Sequence, residues 1–143
     1  MDLSCEFCKI IAAKSSARIV FETPDTLSFF PLHPATPGHT LVIPKIHASD
    51  IWTISQGSFL SVMKVAQTVA VALREVLKPE GLNLINSAGA AATQTIFHFH
   101  VHLVPRWKSD TIGDIWPRGE FVSTEVKDRL EDLVREACAD THP

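Results

Sequence analysis

The chain lacks several features that would assign it to particular classes of protein. Its 143 residues contain no apolar run long enough to cross a bilayer, and the first residues lack the pattern of a signal peptide. There are 13 basic and 16 acidic residues, so the excess of positive charge typical of nucleic-acid binding is missing. Three cysteines are too few for a disulfide framework. We therefore expect a cytoplasmic protein that binds neither membranes nor nucleic acids.

Length and composition favour one folded domain. Hydrophobic residues make up 45% and charged residues 20% of the chain, a balance typical of globular proteins. No internal repeat, low-complexity tract or Gly/Ser linker divides the sequence. We expect a single domain over residues 1–143, with an N-terminal helical segment at 4–14, a core at 18–106 and a C-terminal tail and helix at 107–143.

Hydrophobic periodicity predicts the secondary structure. Apolar residues at helical spacing predict a long helix over 57–77 and shorter helices over 5–14 and 124–139. Alternating or compact apolar segments bounded by turn residues predict strands over 18–22, 26–30, 40–44, 82–85 and 97–104. Because strands and helices do not alternate regularly, the pattern favours an α+β fold with a mostly antiparallel five-stranded sheet and a long central helix.

Three histidines alternate along the last predicted strand. Side chains two residues apart in a strand point to the same face, so His98, His100 and His102 are expected on one side. The side chains expected on the other side, facing the core, are those of Phe97, Phe99, Val101 and Leu103. Strict alternation of three histidines in a chain with seven favours a functional cluster over surface or packed residues. The pattern leaves two interpretations open, a catalytic cluster and a metal-binding strand, because neutral imidazole is a common metal ligand.

Three blocks, in order along the chain, carry a resemblance to a known family. The sequence HFHVHLV at 98–104 resembles the signature of the histidine triad family of nucleotide hydrolases and transferases. The sequence PGHTLVIPKIH at 37–47 resembles the second block of that family, and CEFCKII at 5–11 resembles the opening of its zinc-containing branch. The resemblance implies the HIT-like fold, with short terminal helices, and a homodimer with one continuous sheet and the long helix at its interface.

The resemblance implies that His100 is the nucleophile that forms a nucleotidyl-histidine at an α-phosphate. Histidine has an ordinary pKa of about 6.5, so much of it is uncharged and nucleophilic near neutral pH. The resemblance also implies that the backbone carbonyl of His98 holds one ring nitrogen of His100. We expect His102 to contact the phosphate or the leaving group. His39 resembles a family histidine beside the triad and is assigned a supporting role, although it is equally plausible as the cap of a strand.

Five further residues are assigned to substrate binding. Gln94 and Thr95 are expected to hold the nonbridging phosphate oxygens, and the other three are Ser87, Gly89 and Phe30. The sequence departs from the family at Pro31, where an aspartate usually takes the ribose hydroxyls, and at Ser87, where asparagine is usual. Because Pro31 offers no acceptor, a non-catalytic nucleotide-binding or interaction module remains the alternative to an enzyme.

The N-terminal cysteines form a Cys-x-x-Cys motif. The spacing of Cys5 and Cys8 allows both thiolates to reach one metal, but by itself it serves thiol-redox chemistry as well. The resemblance adds His47 and His98, which completes a closed Cys2His2 set for a structural zinc ion. Cys138, in the last predicted helix, is expected to be a buried packing residue.

The segment after the triad contains two tryptophans, Trp107 and Trp116. It is expected either to shape a leaving-group pocket or dimer contact, or to pack over the edge of the sheet.

Overall fold

Five antiparallel strands form the sheet that carries the histidines. The computed structural model describes residues 4–13 and 17–141. The sheet has the order β1-β2-β3-β5-β4, and each neighbouring pair is antiparallel. The strands are β1 (Arg18–Glu22), β2 (Thr26–Phe30), β3 (Thr40–Pro44), β4 (Gly81–Ile85) and β5 (Val101–Arg106). The predicted α+β class with a five-stranded antiparallel sheet is confirmed.

The helices begin and end close to the predicted residues. Helix α1 covers Glu6–Ala13, α2 covers Gln56–Leu77 and α3 covers Thr124–Thr141; Lys14, the predicted end of the first helix, lies outside the described residues.

Helix α2 is closed at both ends by capping residues. The Ser55 hydroxyl accepts a hydrogen bond from the Ser58 amide, which satisfies one free donor of the first turn. Lys78 adopts a left-handed conformation (φ 48°) and Pro79 follows it, so the helix cannot continue.

The two faces of the sheet are covered by different helices. Helix α2 buries Val62, Val65 and Val69 against Val42 and other apolar side chains of one face, which include Phe99, Val101 and Leu103. On the other face, helix α1 packs Phe7 and Ile11 into a second cluster with Leu27, Phe29, Leu41 and Ile43. Because His102 is the register partner of Leu41, its side chain lies on the α1 face of the sheet.

The predicted strand over 97–104 is wrong at its start. Strand β5 begins at Val101, so His98 and His100 lie in the irregular segment that leads into it, and only His102 lies in the strand. By the register of β3 and β5, Ile43 and Pro44 would stand opposite His100 and Phe99, but the pairing stops at Val42 and Val101. The Phe99 amide donates instead to the backbone oxygen of Ala48, in the loop that follows β3. The alternation holds for Phe99, Val101 and Leu103, which enter the core under α2. The prediction is wrong for Phe97, which is 50% exposed because it lies before the strand.

The described chain divides into a larger unit that ends at Thr111 and a smaller unit that begins at Ile112. The smaller unit contains α3, in which no residue is buried. Cys138 is exposed, so the expectation of a buried packing residue is wrong. Trp107 is half-buried in the larger unit, whereas Trp116 in the smaller unit is 82% exposed. Among the helices of residues 4–13 and 17–141, none is both long and apolar enough to span a membrane.

Candidate active site and metal centre

The ring of His100 is oriented by the backbone of His98. Its Nδ1–H donates to the His98 carbonyl oxygen at 2.7 Å, so Nε2 carries the lone pair. Burial lowers the pKa of His100, which favours the uncharged ring. His100 is only 6% exposed. Among the described residues, however, the one side-chain nitrogen or oxygen that is both buried and without a hydrogen-bond partner is Thr26 Oγ1, so Nε2 of His100 is not a buried atom. The unbonded Nε2 of His100 is therefore open to solvent.

A chain of hydrogen bonds fixes the tautomer of His102. The Ala35 amide donates to His39 Nδ1 at 3.0 Å, so a neutral His39 carries its proton on Nε2. That nitrogen lies 2.9 Å from Nδ1 of His102 and donates to it. His102 is left with its own proton on Nε2, which bonds to no described residue. Burial, followed by the nearby rings of His100 and His39, lowers the pKa of His102 to about 4.

The rings of the cluster touch one another. The centroids of His100 and His102 are 4.8 Å apart, and those of His39 and His102 are 5.2 Å apart. Burial also lowers the pKa of His39. The ring of His100, with an unprotonated Nε2, thus packs against the ring of His102, which carries a fixed Nε2–H. Of the three predicted catalytic residues, the structure brings all three together.

The loop between β4 and β5 borders the cluster. The amide of Asn86 donates to the His100 carbonyl oxygen at 2.8 Å, a contact that no sequence motif indicated. Gln94 is 4% exposed, and all its polar groups hold the loop: Oε1 accepts from the Gly89 amide, while Nε2 donates to the carbonyl oxygens of Ser49 and Ile96. The Thr95 amide and hydroxyl, by contrast, bond to no described residue and are free to bind a ligand.

Four side chains converge on one point beside the cluster. The ligand atoms of Cys5, Cys8, His47 and His98 all lie within 4.8 Å of one another. Nδ1 of His98 lies 3.5 Å from Cys5 Sγ and 3.7 Å from Cys8 Sγ, and Nδ1 of His47 lies 3.4 Å from Cys8 Sγ. A tetrahedral zinc ion bound by sulfur and nitrogen separates the two atoms by about 3.6 Å. The donor set and its spacing therefore fit a tetrahedral metal ion.

The metal group has its own supporting hydrogen bond. Nε2–H of His98 donates to the Pro44 carbonyl oxygen at 2.9 Å, which leaves Nδ1 unprotonated and directed to the thiols. His98 is fully buried, and His100 is not part of the metal group. His98 thus lies in the candidate metal group, whereas the rings of His100 and His102 pack against each other outside it.

A groove of about 630 Å³ opens on the same face of the sheet. Phe29, Leu41 and His102 are cross-strand neighbours in one row, so Phe29 in the groove lies two strands, or about 10 Å, from His102. The groove is lined by apolar and charged side chains, namely Glu6, Lys9, Ile10, Ala17, Arg18, Phe29, Phe30, Pro31 and Leu32. Phe30 and Pro31 thus line a groove on the face of the sheet that carries His102.

Comparison with known proteins agrees with this geometry. A family described as HIT domain matches residues 12–109. A HIT family protein from Bacillus anthracis superposes with a TM-score of 0.86 at 33% identity, covering 96% of this chain and 99% of that one. A Zn-bound histidine triad family protein from Mycobacterium smegmatis has a TM-score of 0.71 at 32% identity, covering 96% and 98%. A hypothetical histidine triad nucleotide-binding protein from Sulfolobus tokodaii has a TM-score of 0.71 at 30% identity, covering 95% and 93%.

Proposed function

Because the chain belongs to the HIT family, we propose that it is a nucleotide hydrolase or nucleotidyltransferase that acts on an α-phosphate. The bond it cleaves is that of a phosphoramidate or a dinucleoside polyphosphate. One observation carries the proposal, namely the hydrogen bond from His100 Nδ1–H to the His98 carbonyl oxygen. That bond leaves a solvent-accessible lone pair on Nε2, in an imidazole whose pKa is lowered by burial.

The reaction proceeds in two steps. The Nε2 lone pair of His100 attacks the α-phosphorus, and the bond from phosphorus to the leaving nitrogen or oxygen breaks. The leaving group takes the electron pair and a proton from water. The positive charge that develops on the His100 ring is stabilised by the His98 carbonyl oxygen, which accepts from Nδ1–H. Water, or another acceptor in a transfer reaction, then cleaves the bond between phosphorus and Nε2.

His102 acts in this scheme as a neutral hydrogen-bond donor. The amide of Ala35 fixes the His39 tautomer, and His39 in turn donates to Nδ1 of His102. A second proton on His102 would place two N–H groups against each other, which agrees with its lowered pKa of about 4. Its Nε2–H is therefore available to a phosphoryl oxygen or to the leaving atom, where negative charge grows in the transition state.

The loop from Ser87 to Thr95 supplies the remaining phosphate contacts. We assign direct contacts to the free amide and hydroxyl of Thr95, with Ser87 at the entrance of the loop. Gln94 contributes by holding the loop through its three backbone hydrogen bonds. Gly89 belongs to the same framework, with a φ of +83° that glycine adopts readily. In the groove, Phe30 is the partner for the nucleoside.

The metal ion of the Cys2His2 group is proposed to be zinc. Two thiolates and two imidazoles form a closed set with no open position for a substrate, so the ion serves a structural purpose. Cys5, Cys8, His47 and His98 join α1, the end of β3 and the segment before β5. The mycobacterial relative whose structure is described as Zn-bound supports this choice of metal.

A homodimer is proposed through β4 and α2. Strand β4 is an edge strand of the sheet and exposes Leu82 and Leu84, while the adjoining part of α2 exposes Val71. An apolar edge strand of this kind is suited to pair with a second copy. Cysteines without disulfides agree with the proposed cytoplasmic location.

A second candidate function is nucleotide binding without catalysis. The observation that favours it is Pro31, which lies in the groove without an acceptor for ribose hydroxyls. The two candidates differ in whether phosphorus becomes bonded to His100.

The test is incubation with a fluorogenic adenosine phosphoramidate and with a diadenosine polyphosphate, followed by acid-free trapping of the adduct and peptide mapping. We expect turnover and a nucleotidyl group on His100. His100→Ala should abolish turnover while keeping AMP affinity, which isothermal calorimetry measures. AMP binding by the wild-type chain without an adduct or turnover would favour the second candidate, and normal turnover by His100→Ala would exclude His100 as nucleophile.

A further inference from the structure

We propose that Phe7 is a positioning residue for His100, through which the metal-bound segment holds the nucleophilic ring in its reactive orientation. The inference rests on the proposed function, since it concerns the same nucleophile. Phe7 lies between the two candidate metal ligands Cys5 and Cys8. It is 4% exposed, so nearly all of its ring packs against other side chains of the protein.

Phe7 touches both histidines that matter for the reaction. Its ring centroid lies 5.3 Å from that of His100, with the two planes at 90°, and 5.8 Å from that of His98, with the planes at 69°. The ring of Phe29 also packs against Phe7, with the two centroids 5.5 Å apart and the planes at 77°. These are edge-to-face arrangements, which aromatic rings favour over face-to-face stacking. Among the described phenylalanines, Phe7 alone has ring contacts with both His98 and His100.

The hydrogen bond to His98 does not fix the His100 ring completely. A single bond at Nδ1 fixes the position of one ring atom but permits the ring plane to pivot about that atom. A perpendicular ring packed against the imidazole removes this freedom. Nucleophiles need positions held to about 0.5 Å and 10–20°, so the contact with Phe7 supplies an orientation that the hydrogen bond lacks.

The position of Phe7 in turn depends on the metal ligands around it. Helix α1 has only eight residues, too short to be stable by itself. A metal held by Cys5 and Cys8 fixes the chain on both sides of Phe7. The same metal group contains His98, whose carbonyl holds His100 Nδ1. The metal-bound segment therefore makes two contacts that position His100, one from the backbone of His98 and one from the ring of Phe7.

The experiment compares Phe7→Leu and Phe7→Met with Ile11→Ala in the full, zinc-loaded chain. Ile11 lies in the same helix and the same apolar cluster as Phe7, but it has no ring to contact His100. Three quantities are measured: the single-turnover rate of nucleotidyl-histidine formation from an adenosine phosphoramidate, the Kd of AMP, and the His100 tautomer from long-range proton–nitrogen NMR spectra. Zinc content and circular dichroism verify the metal and the fold.

We expect both Phe7 variants to slow adduct formation by about tenfold or more, because small displacements of a reacting group cost up to about a hundredfold. Zinc content and AMP affinity should be unchanged. Because a ring that pivots tilts its Nδ1–H away from the His98 carbonyl oxygen, the bond that selects the tautomer weakens, and the NMR spectra should show a mixture of His100 tautomers. Ile11→Ala should keep the wild-type rate and tautomer despite a loss of stability. Unchanged rate and tautomer in either folded Phe7 variant, or an equal loss in Ile11→Ala, would overturn the proposal. Since the NMR measurement needs no turnover, it tests the role of Phe7 even if the proposed reaction fails.

Discussion

The backbone oxygen of His98 accepts the Nδ1–H of His100 at 2.7 Å, while the ring of His98 points its own Nδ1 at Cys5 and Cys8. One residue thus joins the candidate metal group to the proposed nucleophile. We expect stability and catalysis to be coupled here, because the backbone that positions the His98 ring among the thiols also carries the carbonyl oxygen that orients His100. Five predictions address this coupling and the neighbouring contacts.

Loss of the metal should reduce stability and activity together. In Cys8→Ser one thiolate ligand is lost, and we expect zinc content to fall well below that of the wild type, with a loss of several kcal/mol in the free energy of unfolding. Turnover should fall in parallel. Metal analysis, urea unfolding and phosphoramidate hydrolysis measure the three effects. Cys138→Ser is the control, since that thiol is exposed and lies outside the metal group; equal zinc content in the two variants would contradict the assignment.

The stability of the chain should decrease between pH 6.5 and pH 4 because of His102. Its pKa is about 4 in the folded protein and about 6.5 when unfolded. In this range the unfolded chain therefore binds more protons than the folded one. The contribution of neutral His102 to the free energy of unfolding is complete above pH 6.5 and is lost as the pH falls towards 4. Urea unfolding at pH 7.5 and 5 should show a smaller decrease for His102→Gln than for the wild type, and an equal decrease would rule out the lowered pKa.

Removal of His39 should slow catalysis by freeing the tautomer of His102. In His39→Ala the donor to His102 Nδ1 is lost, so the ring can place its proton on either nitrogen. We expect kcat to fall by about tenfold, the usual scale for one hydrogen bond of about 1.4 kcal/mol. The matched control is His33→Ala, an exposed histidine of the same loop. If both variants lose the same activity, the series of hydrogen bonds from Ala35 through His39 to His102 has no catalytic role.

Asn86 should contribute to both stability and kcat, because its side-chain amide donates to the backbone carbonyl oxygen of His100. Asn86→Ala removes the hydrogen bond to His100, and we expect a loss of about 1 kcal/mol in stability and a lower kcat with little change in KM. Asn83→Ala serves as the control, because Asn83 lies in β4, three residues before Asn86, and bonds to Arg106, away from the histidines. Steady-state kinetics of both variants decide the question, and wild-type kcat in Asn86→Ala would exclude the role.

Introduction of an acceptor at position 31 should create ribose selectivity. Pro31→Asp places a carboxylate in the groove, where it accepts hydrogen bonds from ribose hydroxyls. We expect the ratio of the affinity for AMP to the affinity for 2′,3′-dideoxy-AMP to be about tenfold higher in the variant than in the wild type. One or two hydrogen bonds to a charged group would give an effect of this size. Calorimetry with both nucleotides measures the ratio. No change would mean that the ribose does not lie beside residue 31.

The sequence by itself indicated the residues of the histidine cluster and of the candidate metal group, which the structure brings together. The alternation of His98, His100 and His102, the Cys5-x-x-Cys8 spacing and the helical periodicity of 57–77 are local patterns, and local geometry reproduces them. Apolar patterns also determined the five strands and the α+β class, because burial of one face requires them.

Tertiary structure decided which groups those residues contact. The resemblance already implied that the His98 carbonyl holds the ring of His100, and the structure agrees. The partners of His98 and His39 are backbone groups of Pro44 and Ala35, and because almost every residue carries such groups, no sequence pattern indicates these two pairings. For the same reason β5 starts later than predicted, and Gln94 uses its amide to hold the loop. Side-chain chemistry can be read along the chain. The direction of each hydrogen bond depends on which backbone groups folding brings to about 2.9 Å from the side chain.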